Sequence, residues 1–504
     1  MRPYGIETEY GIMVLGEEEI DVVAESIELV RSYMERGTLM KWDYQLEDPH
    51  VDARGFRVRE LLQDTDEANY FQIDHDRPLS FQEIKSDLVL ANGARFYNDH
   101  AHPEYSTPEC SNLNEIVAQD RAGECILHEC ALRRSAMLGR SVRLYKNNTD
   151  FDGHSYGCHD NYLVSREVKW ERLVSGMLPF LVTRQIFAGA GKLGIEAEGK
   201  LLQSGVYQIA QRSDFFSVLT SVDTMNRRPL VNTRDEAHAD PKKWRRFHVI
   251  IGDANMSEFA TALKIGTTSM ALKLIELGLA PDIELAQPIE ATKAISRDPS
   301  HSWIVELRDG RKISAIDIQR AYLEAARVHL EPEEDHAWIF REWENVLNDL
   351  EVDPLRCVDR LDWVAKWHLL DTFRQSEDLA WSDPWLQSLD LEYHNIDPEN
   401  GLYHALSREG TIRRFVSDEA VAAAIKNPPS STRAFFRGQV VSRFAGQIAS
   451  LQWDAVALLT TTGKFTIPFP EVADSPRLDA LNKIIVAVKN TDELRDRIRS
   501  LDGA

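Results

Sequence analysis

From residue 4 to residue 15, apolar and polar side chains alternate, the period-two pattern of a half-buried β-strand. Between 19 and 36 the spacing changes. Ile20, Val23, Ile27, Val30 and Met34 recur at three- and four-residue intervals, which predicts an amphipathic helix. Residues 42–88 lose both periods; the tract is polar and acid-rich and reads as a long insertion between two strand-like segments. Beyond it, strand-like and helix-like stretches mix without a βαβ rhythm. The expected class is therefore α+β with a largely antiparallel sheet. Residues 315–375 read as mostly helical. Lys426-Asn427-Pro428-Pro429-Ser430-Ser431 is the best linker candidate, dividing the chain into a body, 1–427, and a small C-terminal unit, 428–504, expected to dock on it. There is no internal repeat and no low-complexity tract.

Composition narrows the function class. With 504 residues, 43% hydrophobic and 28% charged, the chain is long enough to bury a large core. Lys and Arg number 58 against 81 Asp and Glu, a formal charge of −23. That balance argues against bulk nucleic-acid or anionic-membrane binding. Cys110, Cys125, Cys130, Cys158 and Cys357 are odd in number and form no CxxC pair, so reduced thiols and a cytoplasmic location are expected. Met1-Arg2-Pro3-Tyr4-Gly5 runs straight into the first strand and carries no secretory signal pattern. Leu173–Ala190 is apolar but interrupted by Arg184, and reads as buried core rather than a membrane span.

Four segments carry candidate chemistry. In Gly5–Ile12, Glu7 and Glu9 share strand parity and point the same way, about 6–7 Å apart by strand rise. Like charges so placed repel unless a cation or an arginine neutralises them, and carboxylate oxygens suit magnesium; a solvated strand face is the plain alternative. In Asn92–Tyr105, Arg95, Tyr97 and Asp99 share one face, and His102 and Glu104 follow with the same parity. Arginine suits phosphate, tyrosine can orient a metal or water, and aspartate can act as base or nucleophile. The alternative is a hydrated edge strand with an internal Arg–Asp pair. In the third segment His159 and Asn161 again share parity, against the bland reading of a structural histidine beside a turn. The fourth is a strand carrying His248 and ending in a polar turn with Asp253 and Asn255. Just before it, residues 227–246 hold Arg227, Arg228, Arg234, Lys242, Lys243, Arg245 and Arg246 against Asp235, Glu236 and Asp240, an excess that suits phosphates or an acidic peptide, or else makes a solvated basic face.

Two patterns are decoys. Gly189-Ala190-Gly191-Lys192-Leu193-Gly194 matches GxGxxG but no amphipathic helix follows it. No Walker A sequence, HExxH, GxSxG or zinc spacing occurs, so any ATP must be held by another architecture.

Taken in order, GIETEYGI at 5–12, NGARFY at 92–97, HPEY at 102–105, KNNTD at 146–150, SYGCHDNYL at 155–163, VNTRDEAHAD at 231–240, FHVIIGDANMSE at 247–258, TRAFFRG at 432–438 and QWD at 452–454 resemble the Pup ligase and depupylase family. The resemblance runs over nearly the whole chain. It implies a glutamine-synthetase-like fold: a curved, mostly antiparallel sheet packed by helices, with a small C-terminal domain completing the nucleotide site. WDY at 42–44, DARGF at 52–56 and the spacing Asp99-His100-Ala101-His102-Pro103-Glu104 are more similar to the deamidase/depupylase branch than to the ligase. That branch deamidates the C-terminal glutamine of Pup and hydrolyses Pup–lysine isopeptide bonds; the ligase forms those bonds with ATP consumption and is the runner-up reading. The resemblance implies ATP (or ADP plus phosphate) and Mg2+ as cofactors, and Pup and pupylated proteins as partners. It assigns Glu7, Glu9, Tyr97 and Glu104 to metal, Arg95, Thr107 and Trp453 to the nucleotide, and Asp99 to catalysis. Asp160 departs from the family's usual glutamate, and Thr107 stands where the branch often has serine.

Overall fold

The computed structural model describes residues 2–17, 20–33, 42–44, 47–61, 77–197, 199–224 and 227–503. Its main sheet has six strands: β1 (Tyr4–Glu9), β2 (Leu88–Val89), β3 (Arg95–Asp99), β4 (His102–Ser106), β5 (Cys158–Ser165) and β6 (Trp244–Val249). They lie in the order β6-β5-β1-β4-β3-β2, with antiparallel neighbours throughout. Alternation sorts their side chains onto two faces. Ile6, Phe96, Tyr105, Cys158, Tyr162 and Phe247 are buried against a helical layer built from Leu113–Leu138, Trp170–Thr183 and Glu258–Leu277. Two of these helices have clear stop and start chemistry. Asn112 and Ser257 cap their N-termini through Glu115 N and Ala260 N, and Gly139 and Gly278 end them at φ 66° and 76°. Contact with the sheet is close: a Cβ on Gly123 would lie 2.4 Å from the Tyr105 ring, so only glycine fits there.

The α+β class and the antiparallel sheet are as expected. The single strand expected at 4–15 is instead two. The Tyr10 side chain is fully buried in a second apolar cluster, its N–H bonds Pro103 O at 3.1 Å, and Gly11–Val14 leaves to pair with Val142–Tyr145. The alternation runs on across this bend, so it gave no sign of it. The helix expected at 19–36 is Val22–Ser32, capped by Asp21, while Met34 lies outside the described residues. Residues 315–375 are helical, as Ala315–His329, His336–Val352 and Asp362–Ser376. Most of Leu173–Ala190 is buried, and among the described residues no helix is long and apolar enough to cross a membrane. The GxGxxG stretch opens a strand, Lys192–Ala197, not a helix, and Lys192 is buried with Glu196 and Asp214 at 2.6 and 2.8 Å.

After Lys426 the chain builds a further core from Phe436, Val440, Leu458, Phe469, Leu481 and Leu494, joined by Trp42 and Val89 of the body. Glu109 ties this part to the sheet: it accepts from Arg433 Nε at 2.7 Å and from Arg437 Nη2 at 2.5 Å. Arg437 also donates to Gly93 O at 2.7 Å. Within 42–88 the described residues form a short hairpin, Val51–Asp52 with Phe56–Arg57, and the helix Phe81–Lys85; residues 62–76 lie outside them.

Candidate active site

Strand register brings the chemistry-bearing residues together on the sheet face opposite the helices. Glu9 stands opposite Glu104, which stands opposite Tyr97. Glu7 lies between Ser106 and His159, Asp99 faces His102, and Asn161 faces His248. Glu7, Glu9, Arg95, Tyr97, Asp99 and Glu104 all line one cavity of about 340 Å³, with His102, His159 and His248. The shared parity read from the sequence is thus a shared face.

Two groups on this face have the donors for a cation. One is Glu9, Asp99 and Glu104, each offering a carboxylate oxygen, with ligand atoms within 4.8 Å of one another. The other is Glu7 with His159 and His248. The second group separates Glu7 from its expected companions: its Oε2 lies 3.4 Å from both His159 Nδ1 and His248 Nε2, and Arg246 donates to its Oε1 at 3.2 Å. Burial alone would raise the Glu7 carboxyl, but His248, His159 and Arg246 outweigh it and hold it well below the usual range. Burial and Arg246 push His248 down to about 3, while Glu7 pulls it the other way.

The three-carboxylate group is uneven. Burial and the charges of Asp99, Glu7 and Glu9 push the Glu104 carboxyl well above its ordinary value, although Tyr97 Oη and Ser106 Oγ donate to it at 2.8 and 3.1 Å. Asp99 goes the other way: burial would raise it, but Lys85 Nζ at 2.6 Å and His100 Nδ1 at 3.3 Å hold it well down and keep it ionised. Glu9 Oε2 accepts from Gly157 N–H at 2.7 Å. A set of oxygen donors that repel each other in a buried place is the chemistry of a divalent-cation site.

Arg95 is caged. It donates to Asp87 Oδ1 at 2.6 Å and to Tyr44 Oη at 2.8 Å, and its guanidinium stacks 4.0 Å from the Trp42 ring and 3.9 Å from that of Tyr97. Trp42 in turn meets Trp453 edge-on, ring centroids 5.4 Å apart. Thr107 lies outside the large cavity. It lines a smaller one, about 90 Å³, that shares Glu7, Ser106, His238, Arg246 and Trp453 with the first. The two therefore adjoin across these side chains, one polar and one largely apolar.

The basic stretch does not form one face. Arg228, Arg234 and Arg246 line the large cavity, Lys242 and Lys243 are exposed, and Arg245 turns to the other side of β6 to bond Val168 O at 3.1 Å. Asp253 and Asn255 are structural. Asp253 Oδ2 accepts from Ala190 N and Gln211 N at 2.8 Å, and Asn255 donates to Asp362 at 3.0 Å. Asp160 is buried behind the sheet with Arg184 at 2.8 Å, so that family departure does not touch the site. Lys85, Asp87 and Arg212 escaped the sequence reading. Lys85 ends a five-residue helix inside the aperiodic insertion, and Arg212, pushed down to about 10 by burial and Arg228, follows a strand with no polar pattern.

Known proteins resemble this chain over most of its length. The family model described as Pup-ligase protein matches residues 2–457. The depupylase of Acidothermus cellulolyticus is 43% identical over 467 residues, 90% of each chain. The Pup deamidase/depupylase of Mycobacterium tuberculosis is 41% identical over 474 residues, again 90% of each chain. Among solved structures, the Pup ligase PafA in complex with ADP matches with a TM-score of 0.72 and 33% identity, covering 86% of this chain and 98% of that one. The chain belongs to the Pup-ligase protein family.

Proposed function

We propose that the protein is a Pup deamidase and depupylase. It hydrolyses the side-chain amide of Pup's C-terminal glutamine and the isopeptide bond between Pup and substrate lysines, in the cytoplasm, with ATP (or ADP plus phosphate) and Mg2+ bound. The carrying observation is the convergence of Glu7, Glu9, Tyr97, Asp99 and Glu104 on one cavity, in a chain similar over nine-tenths of its length to named depupylases. Nucleotide use is supported by the ADP complex of the related ligase and by the adjoining polar and apolar cavities. On this reading Trp453 and Thr107 flank the base, Arg95 serves the phosphates, and residues 428–504 are a small C-terminal domain completing the nucleotide site.

The oxygen donors of Glu9, Asp99 and Glu104 fit magnesium and would hold it, with the Glu7 carboxylate nearby on the same face. A bound divalent cation would supply charge neutralisation for phosphate oxygens. Tyr97 orients Glu104 by its 2.8 Å hydrogen bond. Asp99, kept ionised by Lys85, either attacks the amide carbonyl or takes a proton from the group that does. The leaving group is ammonia from glutamine or the lysine amine from an isopeptide.

The test supplies purified protein, magnesium-ATP, Pup ending in glutamine and a pupylated protein. Ammonia release and loss of conjugate are expected without stoichiometric ATP use. Formation of conjugates with ADP release would instead make it a ligase.

A further inference from the structure

Lys85 occupies a built position in the cavity wall. It ends the helix Phe81–Lys85, which opens on a Ser80–Glu83 capping box and closes at Ser86 with φ 48°. Residues of the body grip this turn. Asn98 Nδ2 donates to Ile84 O at 3.1 Å, and Arg31 donates to Glu83 O at 3.1 Å and to Ser86 Oγ at 3.3 Å. Just beyond it, Leu88 pairs with Phe96 of β3. The Lys85 side chain is 16% exposed, and its ammonium donates to Asp99 Oδ1 at 2.6 Å.

That contact sets a positive charge against the carboxylate group itself. Asp99 offers one of the three carboxylates gathered with Glu9 and Glu104. Its Oδ1 is taken by Lys85, and its Oδ2 lies 3.3 Å from His100 Nδ1. Three other basic residues of the cavity bond elsewhere: Arg95 to Asp87 and Tyr44, Arg212 to Ser155 and Ile250 O, and Arg246 to Glu7 and Asn161. A divalent cation on the oxygens of Glu9, Asp99 and Glu104 therefore meets an ammonium already bonded to one of the three side chains. Both are positive, and in a buried place their repulsion is poorly screened. A phosphate meets the opposite, since Lys85 attracts an anion.

We propose that Lys85 keeps the cation site from filling by itself: its ammonium opposes a lone divalent cation on Glu9, Asp99 and Glu104, so that the cation enters with a phosphate anion that offsets the opposition. This rests on the magnesium-nucleotide binding proposed above and names the side chain that ties the cation to its nucleotide. Lys85 belongs to the tract 42–88, so the insertion acts on the site through a charge.

The test titrates magnesium chloride into the full chain by calorimetry, without nucleotide, for the unaltered protein, Lys85→Met and Lys85→Arg. Lys85→Met is expected to take up magnesium about ten-fold or more tightly than the unaltered protein. Lys85→Arg keeps the charge and should match the unaltered protein. ATP in chelator should bind Lys85→Met no more tightly than the unaltered protein, because an ammonium does not oppose an anion. An unchanged or weaker magnesium affinity in Lys85→Met overturns the proposal and leaves Lys85 a phosphate-binding or packing residue. Equal tightening in Lys85→Arg overturns it too, since lost packing rather than lost charge would then be the cause. So does tighter ATP binding by Lys85→Met in chelator, which would mark a general loosening of the site. If the unaltered protein binds no ATP even in magnesium, the proposed nucleotide dependence falls and takes the joint entry of cation and nucleotide with it, while the nucleotide-free titrations still decide whether Lys85 opposes the cation.

Discussion

Glu109→Gln probes the joint between the C-terminal part and the sheet. Burial alone would raise the Glu109 carboxyl, but Arg437 and Arg433 outweigh it and hold it at about 2. The gap from the ordinary 4.5 to about 2, at about 1.4 kcal/mol per pH unit, comes to about 3 kcal/mol. Glutamine keeps an acceptor but removes the charge and leaves two buried guanidiniums facing it, so the loss at neutral pH is expected to approach that figure. The sign follows from a folded-state value below the unfolded one. The stabilisation is complete above pH 4.5 and is lost as pH falls toward 2. Hydrogen exchange reads it locally: amides of Ala434–Phe444 should exchange about a hundred-fold faster in the variant at pH 7, while those of Glu258–Leu277 keep their rates. Thermal unfolding of the two proteins should converge between pH 4.5 and pH 2. Unchanged protection in Ala434–Phe444, or a variant deficit that does not shrink in acid, refutes the reasoning.

Asp99→Asn should abolish ammonia release and conjugate cleavage and, because Asp99 is one of the three clustered oxygen donors, weaken magnesium-dependent nucleotide uptake, while ATP in chelator still binds by calorimetry; retained turnover would remove Asp99 from the chemistry. Glu104→Gln should weaken magnesium-dependent nucleotide uptake at least ten-fold, since it removes one of three clustered oxygen donors, with little effect on nucleotide binding in chelator. Gly189→Ala should destabilise by several kcal/mol in thermal unfolding, because the new Cβ would stand 2.0 Å from Ile209 O, yet leave the nucleotide affinity of the folded protein unchanged.

The sheet face was legible because a strand's period is two and tolerates no ambiguity of side. Once Glu7 and Glu9, or Arg95, Tyr97 and Asp99, are placed on strands, each set must share a face, and the register did the rest. What the period cannot give is pairing between strands. Glu7 stands beside His159 and His248 rather than Glu104 because β5 and β6 lie on one side of β1 and β4 on the other. The bend at Tyr10 and the scattering of the basic stretch were hidden for related reasons. Alternation continues through the first, and the second mixes strand parity with loop, so that Arg245 and Arg246 face opposite sides. Lys85 had no signal: it reaches Asp99 from an aperiodic tract by tertiary placement.

Net charge was the least specific guide, and the cavity shows why. In a chain of −23, its lining carries Lys85, Arg95, Arg212, Arg228, Arg234 and Arg246 against Glu7, Glu9, Glu47, Asp99, Glu104, Asp223 and Glu236. The surface is acidic overall while the site is close to balanced. Most of its acids stand on the central strands β1, β3 and β4, and four of its guanidiniums come from residues 212–246. Such a layout favours a ligand that is itself a paired charge, an anion carrying a cation, because neither ion alone meets a complementary field. A long polyanion brings no such cation and meets a chain of net −23, so the expectation drawn from net charge and the near balance of the cavity lining belong to one charge distribution.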